Sequence, residues 1–174
     1  VTSRVENSWG LGATYVTSAG DTALTIGGGV SGSEVAVLDT QSAADDGGFT
    51  IGVSAVTGDL TVAVGYADGD TTTGVGSNTN RQVDADVMLA GIKYVTGDLT
   101  MNVGFVAGTA IDNIFAATTT TEDSYDEVNA SVTYAVASGV SAVLGYTTVD
   151  ISDENSAVQT AGGSSWYVGA TMSF

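Results

Sequence analysis

Cysteine, histidine and proline are absent from this chain of 174 residues. Without cysteine there is no disulfide framework and no thiol chemistry; without histidine, the usual acid–base group near neutrality and most zinc sites go as well. Basic residues are nearly missing: Arg4, Arg81 and Lys93 are the whole set against 20 acids, for a net charge of −17. Nucleic-acid binding is excluded as a function class, because neutralising phosphates takes lysine and arginine. No apolar run approaches the roughly 18 residues of a membrane helix, so any bilayer crossing would be made by strands. Enzyme signatures are missing too: there is no Gly-x-Ser-x-Gly elbow, and Gly27-Gly28-Gly29 lacks the lysine of a phosphate-binding loop. The chain is expected not to be an enzyme and to require no cofactor. Val1-Thr2-Ser3-Arg4 carries neither the basic nor the apolar region of a secretory signal, which reads as a mature or truncated product or a chain never exported.

What is present is glycine, at 24 positions, with Thr, Ser, Val and Ala, a mixture that favours strands and turns over helix. Four short turns recur, Ser18-Ala19-Gly20-Asp21, Thr57-Gly58-Asp59, Thr96-Gly97-Asp98 and Ala137-Ser138-Gly139. Each glycine supplies the positive φ of a tight hairpin. Alternating segments flank every turn, as in Phe49 to Val56 followed by Leu60 to Tyr66, or Gly91 to Val95 followed by Leu99 to Phe105. Nine strands are predicted, over about 8–16, 22–30, 48–56, 60–67, 83–95, 99–107, 125–136, 140–148 and 164–174. Polar segments at 31–47, 68–82, 108–124 and 149–163 read as long loops. Tight turns alternating with long loops are the plan of an up-and-down barrel in a membrane, and 15 of the 20 acids lie in them, with Asp84, Asp86, Asp126 and Glu127 where strands emerge from long loops.

The strand faces sharpen this reading. One parity collects Trp9, Leu11, Ala13 and Tyr15; Leu60, Val62, Val64 and Tyr66; Leu99, Met101, Val103 and Phe105; Val128, Ala130, Val132 and Tyr134. Aromatics cluster near the ends of such rows, and the expected lipid-interface set is Trp9, Tyr15, Tyr66, Tyr94, Phe105, Tyr134, Tyr146, Trp166 and Phe174. The opposite parity holds Gly10, Gly12, Thr14, Thr61, Ala63, Gly65, Thr100, Asn102, Gly104, Gly145, Gly169 and Thr171. A soluble sandwich would bury the greasy rows and display charge on the other face, which here is small and nearly uncharged. Small neutral residues would also leave voids inside a narrow closed barrel. A wide, water-filled lumen removes both difficulties. The expected fold is therefore an all-β, antiparallel, up-and-down transmembrane β-barrel over residues 1–174.

Nine is an odd number, whereas single-chain bacterial barrels have even strand counts. The first strand enters from the long-loop side, so the chain is expected to be the C-terminal part of a larger barrel whose earlier strands lie upstream.

The hairpins Val56-Thr57-Gly58-Asp59-Leu60-Thr61 and Val95-Thr96-Gly97-Asp98-Leu99-Thr100, with the terminus Trp166-Tyr167-Val168-Gly169-Ala170-Thr171-Met172-Ser173-Phe174, resemble the general diffusion porins of Gram-negative bacteria, in particular the acidic alphaproteobacterial, Rhodobacter-type porins. The resemblance implies a homotrimer of 16-stranded barrels in the outer membrane, in contact with lipid and lipopolysaccharide and passing small hydrophilic solutes. It also implies an eyelet between an acidic inward-folded loop and a basic wall cluster. That loop would lie upstream of Val1, so no eyelet acids carry over. The pore-lining candidates are Lys93, Arg4, Asn102, Thr100 and Glu127.

Acid groups at Asp68 and Asp70, and at Asp150, Asp153 and Glu154, offer oxygen ligands for Ca²⁺, although neither spacing makes an EF-hand loop. The expected function is passive diffusion with a weak preference for cations, set by the acidic mouth. Two alternatives stay open: a secreted or surface β-repeat adhesin with Ca²⁺-binding loops, and a small closed structural barrel.

Overall fold

The computed structural model describes residues 3–37, 44–74, 80–112, 121–153 and 161–173. These form nine strands and no helix: β1 (Ser3–Ala19), β2 (Thr22–Val37), β3 (Ala44–Thr57), β4 (Leu60–Gly74), β5 (Asn80–Thr96), β6 (Leu99–Asp112), β7 (Thr121–Ala137), β8 (Val140–Asp153) and β9 (Ala161–Met172). All pair antiparallel with their sequence neighbours in one sheet of order β1 to β9. The up-and-down plan and the strand count match the sequence expectation. The β-repeat alternative, in which the hairpins would stack as a solenoid, does not survive, since this is one continuous sheet.

The four turns fall where glycine permits them. Gly20, Gly58, Gly97 and Gly139 have φ of 60°, 53°, 54° and 74°, in the left-handed region that side chains disfavour. Successive hairpins are stitched together at that end: Val95 donates its backbone N–H to Asp59 O at 2.9 Å, Ala135 to Asp98 O at 2.8 Å, and Ser173 to Gly139 O at 2.9 Å.

The strands are longer than the sequence reading allowed. Residues assigned there to long loops, such as 31–37, 68–74, 108–112 and 149–153, continue the ladder. Most of the acids placed in loops therefore stand on strands, among them Glu34, Asp68, Asp70 and Asp150. The reason is physical: beyond an apolar band, alternation of greasy residues is no longer required, but Thr-rich backbone still pairs. At roughly 3.3 Å per residue, even the shortest strand exceeds the 9–11 residues of a bilayer crossing. Two irregularities, between Val5 and Asn7 and between Ala135 and Ala137, were not foreseen. Val136 is the extra residue of the second, which lets the ladder absorb one position beside the last tight turn.

There is no conventional core. Among the described residues no large side chain is fully buried and no polar one is buried. Burial instead alternates along the strands: Met101 and Val103 are exposed while Asn102 and Gly104 are half-buried, and Val62 and Val64 are exposed while Thr61, Ala63 and Gly65 are half-buried. A flat sheet would leave small residues at least as accessible as large ones. The face of small residues is therefore the inner, concave side of a curled sheet, and the greasy rows point outward, with Leu11 73% and Val103 52% exposed. Within this sheet β1 and β9 each pair on one side only.

Gly139 and Gly58 separate two costs. At Gly58 a Cβ would meet nothing within 4 Å, whereas at Gly139 it would lie 2.6 Å from the backbone oxygen of Ser173. Gly58→Ala should cost about 1 kcal/mol from the left-handed backbone alone, and Gly139→Ala should cost clearly more by lifting the end of β9. Denaturant unfolding in lipid vesicles measures the difference; equal midpoints for the two variants would contradict it.

Candidate functional site

The cross-strand register turns the sequence parity into a map of the inner wall. Thr61 of β4 faces Lys93 of β5, Lys93 faces Asn102 of β6, Asn102 faces Ser131 of β7, and Ser131 faces Gly145 of β8. One step toward the long connections lie Ala63, Gly91, Gly104, Asn129 and Thr147, and one step further Gly65, Leu89, Val106 and Glu127. Directly paired residues share a face, so all of these belong to the inner wall. Between Lys93, Asn102 and Asn129 the wall is hollowed by about 310 Å³, because Gly91 and Gly104 contribute no side chains there.

Two polar groups are held in place. Asn102 Nδ2 donates to Ser131 Oγ at 3.2 Å. Glu127 is the acceptor at the centre of the second group: the Tyr125 hydroxyl donates to its Oε2, and Asn129 Nδ2 and Thr147 Oγ1 each donate to its Oε1 at 3.5 Å. Gly104 leaves the space that Asn129 occupies, since a Cβ on it would sit 2.7 Å from Asn129 Oδ1 and displace that side chain. On the same face Tyr167 of β9 lies over Gly145, so that an aromatic ring covers the bare backbone beside it.

Of the pore-lining candidates, Lys93, Thr100, Asn102 and Glu127 share the inner face. Arg4 lies in β1 beyond the bulge, opposite Ala36, and its side chain is outside the described residues. Asn129, Ser131, Tyr125 and Thr147 were not singled out from sequence. Their signal was available in the positions alternating with Val128 to Tyr134 and with Leu144 and Tyr146.

The outward face carries the aromatics expected at the lipid interface. Trp9, Tyr15, Tyr66, Tyr94, Phe105, Tyr134, Tyr146 and Trp166 all share it, and Phe174 lies outside the described residues. The ring of Tyr66 packs against Phe49 with centroids 5.8 Å apart. Immediately beyond, acids line up across strands: Asp68 faces Asp86, Asp70 faces Asp84, and Asp126 faces Asp150. Tyr66 donates to Asp68 Oδ2 at 3.4 Å, and Thr109 donates to Asp86. The two acid groups read as Ca²⁺ ligands are far apart, on β4 and β8. Glu154 and the side chains of Asp70 and Asp153 lie outside the described residues, and no group of three or more acids among those described could hold a metal ion.

Comparison with known proteins agrees with this geometry. Among solved structures, the outer-membrane protein OmpT of Vibrio cholerae, in a trimer form, has TM-score 0.61 and 18% identity over 95% of this chain and 56% of its own. OccAB4 of Acinetobacter baumannii has TM-score 0.61 and 14% identity over 95% of this chain and 46% of its own. A porin refined at 1.8 Å has TM-score 0.50 and 15% identity over 92% of this chain and 60% of its own. At such identities the likeness is one of fold, and the chain spans about half the length of these structures. No curated protein sequence matches the chain. The sequence profile of the Gram-negative porins, by contrast, matches residues 1–173, without distinguishing a Rhodobacter-type subgroup. With that match over nearly its whole length, the chain belongs to the Gram-negative porin family, proteins of the outer membrane.

Proposed function

We propose that this chain forms the greater part of the wall of a water-filled channel through which small hydrophilic solutes diffuse passively, with no chemical step. The observation that carries the reading is the inner face: glycine, alanine, threonine and asparagine on a concave wall leave an open volume that side chains do not fill, which is room for water. Thr100, Asn102, Lys93 and Glu127 are then lumen residues, and the outward aromatics sit at the lipid interface.

The barrel requires more strands than these nine. β1 and β9 run in the same direction, so closing the sheet with antiparallel pairs throughout takes an odd number of further strands, and seven would bring the total to 16. Open edges cannot face hydrocarbon, where no water satisfies the backbone. The trimer form of OmpT supports a trimer here as well. Outside the barrel, the acid row beyond the aromatics would meet the headgroups of lipopolysaccharide.

With a net charge of −17, the lumen mouth should enrich cations. A reversal potential in a salt gradient across planar bilayers should show weak cation preference, and anion preference would overturn this part of the reading. The sidedness has its own test. Val103→Arg places a charge on the outward face and should cost about 2–4 kcal/mol in vesicles, whereas Asn102→Arg on the inner face should cost little. Denaturant titration in lipid vesicles gives both values; equal costs would mean that the inner face does not meet water.

A further inference from the structure

We infer that the inner wall of β5 to β8 is a two-point track that binds short zwitterionic peptides in transit, with Lys93 taking the carboxylate and Glu127 taking the ammonium group. The inference rests on the channel reading and names a solute class for it.

Lys93 is the one cation among the described side chains; it is exposed on the inner face and has no ion pair among the described residues. Its neighbours across the ladder are neutral hydrogen-bonding groups, Thr61 and Asn102. The hollow over Gly91 and Gly104 leaves room for a ligand atom to approach the wall. A lysine placed this way presents its charge to the lumen rather than to another side chain. Glu127 lies two strands across and four residues along, and its three donors fix the carboxylate without neutralising it. From strand spacing and rise, the two Cα atoms are about 16 Å apart, and the reach of both side chains shortens the gap between charges. Asn129 links the two points, since it borders the hollow and donates to Glu127.

Charge decides which solute fits. A plain anion is repelled by the acidic mouth before it reaches Lys93, and a plain cation, which the mouth admits, engages Glu127 alone. A neutral solute gains nothing from either. A zwitterion whose charges are separated by about 10 Å, the span of an extended tripeptide, satisfies both points at once. Asn129, Asn102 and Ser131 then offer amide and hydroxyl partners to the peptide bonds between them.

The test is liposome swelling with the full-length protein, using triglycine, its N-acetyl form, its C-terminal amide, and ribose as neutral reference. Relative to ribose, triglycine should enter faster than either blocked form by about tenfold, the low end of what focused charge does to local concentration. Lys93→Met and Glu127→Gln should each abolish that advantage, and Lys93→Arg should retain it. Entry of the blocked forms as fast as triglycine, or an advantage that persists in both neutral variants, would overturn the assignment. Loss in Lys93→Arg as well would mark a structural effect and overturn it equally. If ribose itself does not enter, the channel reading fails and takes the track with it.

Discussion

The constraint on which everything else depends is that each backbone N–H and C=O in hydrocarbon must find a partner within the protein. A sheet meets it only by continuous pairing from strand to strand, which is why all nine strands join their sequence neighbours without a crossover. The tight turns follow from the same requirement. Joining two paired strands by two residues forces a left-handed backbone, and glycine is the residue that takes it at Gly20, Gly58, Gly97 and Gly139 without strain.

Once pairing supplies the fold, side chains are free to be sorted by solvent. In a soluble domain burial of apolar area holds layers together, and a greasy residue more than half exposed is an exception. Here Trp9, Val103 and Trp166 are all largely exposed while threonine, asparagine and glycine line the sheltered side. Stability against unfolding then comes from the ladder and from the bilayer acting as the missing second layer. The inner residues are left to be chosen for size and polarity rather than for packing.

That division explains how much could be read from the sequence. The turns, the strand count and the faces of Trp9 to Tyr15, Leu60 to Tyr66 and Leu99 to Phe105 were legible because a period of two and a glycine with positive φ are local signals. The strand ends were not, since beyond Tyr66 the ladder continues through Asp68 and Thr72 with no apolar alternation to mark it. The bulge beside Ala135 left no trace either, because inserting one residue changes pairing without changing composition. Of the polar wall, Lys93, Asn102 and Glu127 stood out as lone charged or amide residues on the small face. Their joining into one surface depends on register across four strands, which no single segment encodes.

The distribution of charge with depth is the strongest sign that water lies on one side only. Asp68 opposite Asp86 and Asp126 opposite Asp150 are like charges directly paired on the outward face, an arrangement that destabilises a sheet unless solvent and ions screen it. Such pairs can stand only beyond the hydrocarbon, so they mark its edge on the long-connection side, as Asp59 and Asp98 in the tight turns mark the other. Between those limits the charged side chains described are Lys93 and Glu127, and both are on the inner wall. A charge on the outward face at that depth would have to leave water for acyl chains, at a cost of several kcal/mol. On an inner face open to water the same two charges would stay hydrated. Their confinement to that wall is what a lumen filled with water, and a surface that a solute can read, would select.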